Sequence, residues 1–210
     1  MTVIAMAGMI GAGKTTLTTA LAKRLGSTPF YESVSDNPVL PLFYDDPDKY
    51  AFLLQIYFLN KRFETIKQAF KDKNNVLDRT IYEDSLFFHT NAELGRATIT
   101  EVNVYDELLA NMMEELDGLP KKSPDLLVYI HVDYDTMMTR INKRGRAYEQ
   151  PENDSSLPDY YKTLLSKYDE WYNSYNKSNK LMIDGCNLDF VQSAEDMKTV
   201  LSMVDQALEK

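Results

Sequence analysis

Cysteine is almost absent from this chain, since Cys186 is the only one among its 210 residues. A single thiol excludes a disulfide within the chain and is typical of a reducing compartment. Long apolar segments are missing too, because no run approaches the roughly 20 residues that a helix needs to cross a bilayer. An apolar, strand-like run begins at Val3. We therefore expect no signal peptide and a cytoplasmic protein.

Basic residues are scarce relative to acidic ones. The chain carries 23 Lys and Arg against 32 Asp and Glu, a formal net charge of −9. This balance argues against DNA or RNA as a partner, and against an acidic membrane surface, because both favour a basic face. The hydrophobic content of 44% is ordinary for a globular protein, and the length suits one domain with a full core. We predict a single domain over residues 1–210.

The N-terminal region contains the phosphate-binding motif G-x-x-x-x-G-K-[ST]. An apolar run precedes the motif and a run with helical spacing follows it, which is the strand–loop–helix context that the motif requires. Glycines let backbone N–H groups converge on a phosphate, and the helix N-terminus adds the positive end of its dipole. We expect Lys14 to reach the β- and γ-phosphates of ATP and the Thr15 hydroxyl to bind Mg²⁺. The predicted ATP-binding residues of this segment are Gly8, Met9, Ile10, Gly11, Ala12, Gly13, Lys14, Thr15 and Thr16.

Short apolar runs alternate with helical stretches along the rest of the chain. Their two-sided apolar character predicts a doubly wound α/β fold, in which a five-stranded parallel sheet has helices on both faces. Ligands of such a sheet bind outside the carboxyl ends of its strands. The predicted strands are Val3–Ala7, Phe30–Glu32, Val76–Asp78, Leu126–Val132 and Leu181–Ile183. The predicted helices are Thr16–Leu25, Tyr50–Lys71, Glu101–Asp117, Tyr134–Arg144, Leu157–Tyr175 and Ser193–Glu209.

Two predicted strands end in acidic residues that suit phosphoryl transfer. Glu32, at the end of the second predicted strand, is placed to orient an attacking hydroxyl and take its proton, although a solvated strand-end glutamate fits the same position. Asp78 and Arg79 close the third strand, where an acid typically holds Mg²⁺ and an arginine clamps a phosphate or pairs with Glu32. A structural ion pair is the alternative. Asp133 competes for the metal role but is better placed to cap a helix.

An arginine cluster follows the fourth strand. Arg140 and Arg144 lie four residues apart on one helix face, and Gly145 then ends the helix before Arg146. Guanidinium groups on a mobile segment suit a lid that closes over the γ-phosphate and neutralises charge in the transition state. A solvated basic helix end is the alternative. In an acidic chain with a phosphate-binding loop we favour a lid over residues 140–156.

These segments together resemble the deoxyribonucleoside kinase family, in particular its deoxyadenosine, deoxyguanosine and deoxycytidine kinase branch. The resemblance covers nearly the whole chain and depends on six segments in the same order. They are GMIGAGKTT at 8–16, YESV at 31–34, residues 44–62, DRTIYED at 78–84, RINKRGRAYEQ at 140–150 and DGCNLDF at 184–190.

The resemblance implies a role for individual residues. Glu32 would deprotonate the 5′-hydroxyl of the sugar, with Arg79 beside it, and Tyr44 and Glu149 would hold the 3′-hydroxyl. In the base pocket Gln55 would bind the base edge, Phe88 would stack on the base, and Arg62 with Asp84 would form a polar pair at the far end. Leu54 stands in this pocket where an aromatic residue is common, which makes stacking one-sided. The lid arginines would be Arg140, Arg144 and Arg146, and the Asp184–Phe190 loop, including Asn187, would lie near the donor adenine.

The acceptor site separates two related functions. A nucleoside monophosphate kinase, such as thymidylate kinase, binds an acceptor phosphate and needs cations near the end of the second strand. Here that segment is YESVSDNP, with two acids and no Arg or Lys, which favours a neutral nucleoside. Family members with a charged pair like Arg62 and Asp84 take purines or cytosine. We therefore expect ATP-dependent 5′-phosphorylation of deoxyadenosine or deoxyguanosine, with deoxycytidine as a secondary substrate.

A GTP switch or a regulatory ATP-binding module is the alternative of a different class. None of the four Asn-Lys pairs has the aspartate of the guanine-binding motif N-K-x-D, and no D-x-x-G segment occurs. The family resemblance also implies a homodimer and inhibition by an end-product triphosphate. The apolar faces of Tyr50–Lys71 and Glu101–Asp117 are candidates for the dimer contact, or for the core.

Overall fold

The computed structural model describes residues 2–32, 36–71, 74–115 and 121–209. Five parallel strands form one sheet in the order β2-β3-β1-β4-β5. The strands are β1 (Val3–Gly8), β2 (Pro29–Phe30), β3 (Asn75–Leu77), β4 (Leu126–His131) and β5 (Asn179–Asp184). The predicted five-stranded parallel sheet is confirmed. The second strand stops at Phe30, so Glu32 lies just beyond the sheet.

Helices follow the strands and cover the sheet. They are α1 (Lys14–Leu25), α2 (Leu40–Asp45), α3 (Pro47–Ala69), α4 (Ile81–Glu93), α5 (Ile99–Met113), α6 (Tyr134–Arg144), α7 (Leu157–Ser174) and α8 (Ala194–Leu208). Every residue of β1 is buried, so both faces of this central strand are covered. Within the described ranges no helix combines the length and the apolar character that a membrane span requires.

The end of the predicted helix Glu101–Asp117 lies outside the described residues, as do Ser33 and Val34 of the YESV segment. Other helix ends have clear local causes. Asp46 caps α3 by accepting the Lys49 N–H at 3.2 Å, with Pro47 in the first turn. Asp133 caps α6 by accepting the Thr136 N–H at 2.8 Å, which agrees with its expected role as a cap rather than a metal ligand.

Helices α2 and α4 were missed from the sequence. Helix α4 buries residues around much of its circumference, including Glu83, Asp84 and Asn91, so its apolar residues do not form the single stripe that identifies a surface helix. A start signal was nevertheless present. Thr80 precedes Glu83 by three residues, which is the pattern of a capping box, and the Thr80 hydroxyl accepts the Tyr82 N–H at 3.4 Å.

Candidate active site

A cavity of about 970 Å³ opens at the carboxyl ends of the strands, between the phosphate-binding loop, α3, α4 and the segment after α6. It gathers most of the residues that the sequence singles out. Those at its wall are Ile10, Gly11, Gly13, Lys14, Thr15, Thr16, Glu32, Tyr44, Leu54, Gln55, Asp78, Arg79, Asp84, Arg140, Arg144, Arg146 and Glu149. The predicted residues not at the wall are Gly8, Met9, Ala12, Arg62, Phe88, Asp184 and Asn187.

The glycines at both ends of the phosphate-binding loop are required because a side chain would clash there and because their backbone has a positive φ. Gly8 has a φ of +145°, and a Cβ there would lie 2.7 Å from the carbonyl oxygen of Ile130. Gly13 has a φ of +101°, and a Cβ would lie 3.0 Å from the Phe190 ring. The loop can therefore take this path only without side chains at these two positions.

Lys14 is buried at the first turn of α1, and its Nζ donates to the carbonyl oxygens of Gly8 at 2.7 Å and Met9 at 3.0 Å. Burial lowers the pKa of Lys14 to about 8, and repulsion by Arg79 adds to this effect. Below that pH the ammonium group is a concentrated positive charge facing the cavity.

Thr15 and Asp78 meet at the base of the cavity. The Thr15 hydroxyl donates to Asp78 Oδ2 at 2.6 Å, and the other carboxylate oxygen, Oδ1, is buried without a hydrogen-bond partner in the described part of the chain. Burial raises the pKa of the Asp78 carboxyl, against the attraction of Lys14. No cluster of three or more acidic, His or Cys ligands exists among the described residues. One carboxylate with one hydroxyl fits Mg²⁺, which takes its remaining oxygens from phosphates and water.

Glu32 is held by two arginines from different elements. Its Oε1 accepts from Arg62 of α3 at 2.9 Å and lies 3.1 Å from Nε of Arg79, which follows β3. Burial alone would raise the pKa of Glu32, but Arg79, Arg62 and Lys14 outweigh that effect and hold it at about 2. Glu32 is thus an ionised hydrogen-bond acceptor over the whole physiological pH range.

Arg62 lies behind the cavity wall and connects two carboxylates that the sequence assigns to different ends of the substrate. Its guanidinium binds Asp84 with two hydrogen bonds, at 2.9 and 3.1 Å, and also binds Glu32. Burial raises the pKa of Asp84, while Arg62 opposes the rise. The predicted Arg62–Asp84 pair is present, and its link to Glu32 is a feature that the sequence did not indicate.

The base end of the cavity is lined by α3 and α4. Gln55 is only 4% exposed, and its Oε1 has no hydrogen-bond partner within the described ranges. A buried amide oxygen without a partner fits a ligand donor. Phe88 is fully buried against Phe52 and Tyr105, with ring centroids 6.0 and 5.0 Å away, whereas Phe87 reaches the wall. The stacking role of Phe88 therefore stays a prediction, and Phe87 becomes a second candidate.

The sugar end joins Tyr44 and Glu149 to the arginine segment. The Tyr44 ring lies 5.0 Å from that of Tyr148, next to the buried Glu149. Glu149 binds Arg144 through Oε2, and its Oε1 accepts from Arg146 at 3.4 Å. The predicted sugar ligand and two predicted lid arginines thus form one ion cluster.

Arg140 connects the phosphate-binding loop to the Asp184–Phe190 loop. Arg140 donates to the carbonyl oxygens of Ala12 at 3.2 Å and Gly185 at 2.7 Å, so it ties the phosphate-binding loop to the loop after β5. Asp184 and Asn187 bond to each other within that loop and do not line the cavity. The wall there includes Cys186, whose sulfur accepts the Asp133 N–H at 3.1 Å.

One known family covers nearly the whole chain. A family model described as deoxynucleoside kinase matches residues 4–209. The chain belongs to the deoxynucleoside kinase family. This kinase is 63% identical to a deoxyguanosine kinase of Lactobacillus johnsonii, over 97% of this chain and 91% of that protein. It is 53% identical to a deoxyadenosine kinase of Lactobacillus acidophilus, over 98% of this chain and 96% of that protein.

Solved structures agree with the family. A deoxyadenosine kinase from M. mycoides with bound dATP is similar to this kinase with a TM-score of 0.80 and 29% sequence identity. The match covers 98% of this chain and 100% of that chain. The predicted family and the predicted P-loop kinase fold are both confirmed.

Sequence reasoning missed one acidic residue of this kinase. Glu83 of α4 has no exposed surface, and its Oε1 accepts from the Gly8 N–H at 2.7 Å and from the Tyr168 hydroxyl at 2.6 Å. Its Oε2 lies 2.9 Å from a guanidinium nitrogen of Arg79. An acid in the first turn of a helix is ordinarily explained by the helix dipole, so the sequence alone gave no reason to assign Glu83 to the site.

Proposed function

We propose that this kinase transfers the γ-phosphoryl group of ATP to the 5′-hydroxyl of deoxyadenosine or deoxyguanosine, with deoxycytidine as a secondary substrate. The observation that carries the proposal is the placement of Glu32 in the same cavity as the phosphate-binding loop, ionised and fixed by two arginines. A fixed carboxylate can orient a hydroxyl and accept its proton during an in-line transfer.

The charges near Glu32 favour a neutral acceptor over a nucleoside monophosphate. Arg62 is paired with both Glu32 and Asp84, and Arg79 with both Glu32 and Glu83. Each guanidinium is therefore compensated by two carboxylates. An acceptor phosphate next to Glu32 would add a dianion to an already acidic cluster, which is unfavourable in a partly buried site.

The base end fits a nucleobase with an exocyclic amine, and the names of two relatives favour a purine. The buried Gln55 amide oxygen needs a donor, and the Asp84 carboxylate at the wall accepts from an exocyclic amine or a ring N–H. The relatives with 63% and 53% identity carry the names deoxyguanosine kinase and deoxyadenosine kinase. A relative in Bacillus subtilis with 35% identity is named deoxyadenosine/deoxycytidine kinase.

The residues of the chain divide the reaction between them. Lys14 and the loop N–H groups hold the donor phosphates, Glu32 orients the 5′-hydroxyl and accepts its proton, and Arg144 with Arg146 neutralises the transferring group. Thr15 and Asp78 would hold Mg²⁺. When bound, that ion neutralises charge on the phosphate oxygens. Gln55, Tyr44 and Glu149 would orient the nucleoside.

We also infer a homodimer, a single domain and a cytoplasmic location. Helix α5 exposes Val104 and Leu108, four residues apart on one face, with exposed fractions of 49% and 38%, and Ile99 is exposed at its start. Helix α3, which packs against α5, exposes Leu53. Exposed apolar side chains on two packed helices fit a contact between two copies. The single cysteine suits the cytoplasm.

The function is tested by mixing ATP and Mg²⁺ with each of the four deoxynucleosides and measuring ADP and nucleoside 5′-monophosphate. We expect ADP only when a nucleoside is present, with the highest kcat/KM for a purine. Reactions with dAMP, dGMP or dTMP as the acceptor are the control. Preferential use of a monophosphate would assign the chain to the other kinase class, and ADP formation without an acceptor would make it an ATPase.

A further inference from the structure

Glu83 lies outside the cavity wall, but it contacts Gly8, where the phosphate-binding loop begins, and Arg79, which pairs with Glu32. It stands in the first turn of α4 and is completely buried. Its three partners come from three separate parts of the chain: the end of β1, the segment after β3, and α7. This carboxylate therefore connects the ends of two neighbouring strands, β1 and β3, to helix α7 beneath the site.

Burying a carboxylate costs several kcal/mol unless its partners compensate it, so its position needs a reason. An apolar side chain would fill the same volume at lower cost, but it would leave the Gly8 N–H without an acceptor and would remove the carboxylate that forms an ion pair with Arg79. Gly8 begins the phosphate-binding loop, so its N–H is placed where the strand ends and the donor site begins. Glu83 thus supplies an acceptor at the entrance of that loop.

The same carboxylate reaches the acceptor side through Arg79. Oε2 of Glu83 lies 2.9 Å from Nη1 of Arg79, and Nε of Arg79 lies 3.1 Å from Oε1 of Glu32. The Phe87 ring, 4.8 Å from the guanidinium carbon, covers one face of Arg79. A continuous series of contacts therefore runs from Gly8 through Glu83 and Arg79 to Glu32.

We propose that Glu83 is a positioning residue for phosphoryl transfer. It fixes the entrance of the phosphate-binding loop and the Arg79 guanidinium relative to each other, which sets the distance between the donor phosphates and the Glu32 carboxylate. This inference rests on the proposed function. In-line transfer is sensitive to such spacing, because a displacement of about 1 Å costs on the order of a hundredfold in rate.

The test compares Glu83→Gln with Glu93→Gln. Glu93 is also on α4 and also pairs with α7, through Lys167 at 2.6 Å, but it is on the surface and away from the site. For Glu83→Gln we expect kcat per folded enzyme to fall at least tenfold while the KM for the nucleoside stays within threefold. Glu93→Gln should keep both values. Glu83→Asp keeps the charge but shortens the reach, so its kcat should also fall.

The two kinetic constants separate positioning from a purely structural role. If Glu83 only stabilises the fold, Glu83→Gln lowers the melting temperature and the yield, but kcat per folded molecule stays at the wild-type value, and the inference is wrong. Should Glu83→Gln not fold, a folded Glu83→Asp with full kcat overturns it equally. If the wild type makes no ADP in response to a nucleoside, the proposed function itself has failed.

Discussion

At the scale of single residues, the site is a series of carboxylates and guanidinium groups that share partners. Arg62 and Arg79 each contact two carboxylates, and Glu32 is common to both. Because Arg62, Arg79 and Glu32 each have two oppositely charged partners, removing one charge leaves its partners partly unpaired in a buried position. Substitutions of these charged residues should therefore lower the rate of phosphoryl transfer more than the lost contact area alone would suggest.

The first prediction concerns Glu32. Since the arginines keep the pKa of Glu32 at about 2, its carboxylate is ionised at every pH at which the enzyme would be assayed. Glu32→Gln imitates the protonated carboxyl, a state that the wild type does not populate. We expect kcat to fall at least about a hundredfold, in the range of a lost general base, with little change in nucleoside Kd. Steady-state kinetics and calorimetry measure the two quantities. Asp36→Asn, an exposed acid in the same segment, is the control, and retained turnover in Glu32→Gln would remove Glu32 from the base role.

The second prediction concerns Lys14. Its pKa is lowered to about 8, so the ammonium form, which binds phosphate, is present below that pH and is lost above it. We expect kcat/KM for ATP to decline as the pH rises through 8, approaching tenfold per pH unit. Initial rates at subsaturating ATP between about pH 6 and pH 9.5 measure this. The exposed Lys23 of α1 is the control, because Lys23→Ala should leave the profile unchanged, whereas a flat wild-type profile would contradict the assigned pKa.

Individual residues were predictable from the sequence where a motif fixes their surroundings. The Thr15–Asp78 contact is one example, because Thr15 follows the loop after β1, Asp78 follows β3, and these neighbouring parallel strands end at the same edge of the sheet. The hydrogen bond between Arg62 and Glu32 was not predictable. It joins α3 to the segment after β2, and the spacing of residues within a helix does not show which distant residue a long side chain contacts. The proposed roles of Gln55 and Glu149 depended on family resemblance, because an isolated polar residue gives no sign of what it faces.

At the scale of elements, a strong local signal decided which helices were predicted. Helix α6 was predicted from Tyr134 to Arg144, the bounds that the structure has, because an aspartate begins it and Gly145 ends it. Ser193 caps α8 by accepting the Asp196 N–H at 3.1 Å. The spacing of Ser193 and Asp196 is similar to a capping box, but the Asp196 carboxylate accepts from the Asp189 N–H instead of returning a bond to Ser193. A polar side chain that a local sequence pattern assigns to a helix cap can therefore bind a different backbone group in the folded protein.

The third prediction uses the two glycines that end α6 and α1. Gly145 has a φ of +69° and Gly26 a φ of +62°, and no atom lies close enough to either to obstruct a methyl group. Alanine at either position should lower the free energy of unfolding by about 1 kcal/mol, a decrease of roughly 2–4 °C in Tm. Only Gly145→Ala should also lower kcat, by about fivefold, because Gly145 turns the chain towards Arg146 and Glu149. Equal loss of kcat in Gly26→Ala would show that the effect is not specific to the arginine segment.

At the scale of the whole molecule, the exposed apolar side chains of α3 and α5 contrast with the acidic character of the chain. The net charge of −9 keeps separate copies apart unless a complementary apolar contact overcomes the repulsion. Leu53, Val104 and Leu108 are candidates for that contact, whereas Val102 and Tyr105 of the same helix α5 belong to the core. The sequence could not separate the two groups, because both are apolar at helical spacing.

The fourth prediction tests the homodimer. Val104→Glu or Leu108→Glu should convert a species of twice 24.2 kDa into a monomer of 24.2 kDa in light scattering, because a charge in an apolar contact is costly. Met182→Glu is the control, since Met182 is equally exposed, at 48%, but lies on β5 at the other edge of the sheet from β2. A wild-type monomer at micromolar concentration would exclude the dimer.

The position of Cys186 at the cavity wall has a practical consequence. As the sole thiol of the polypeptide, it allows one fluorophore to be attached per molecule without any engineering, at a known point beside the phosphate-binding loop. Occupancy of the donor pocket should then slow alkylation or quench the dye, and the nucleoside alone should do neither. Such a signal would report the arrival of the triphosphate in real time, separately from the chemistry that follows.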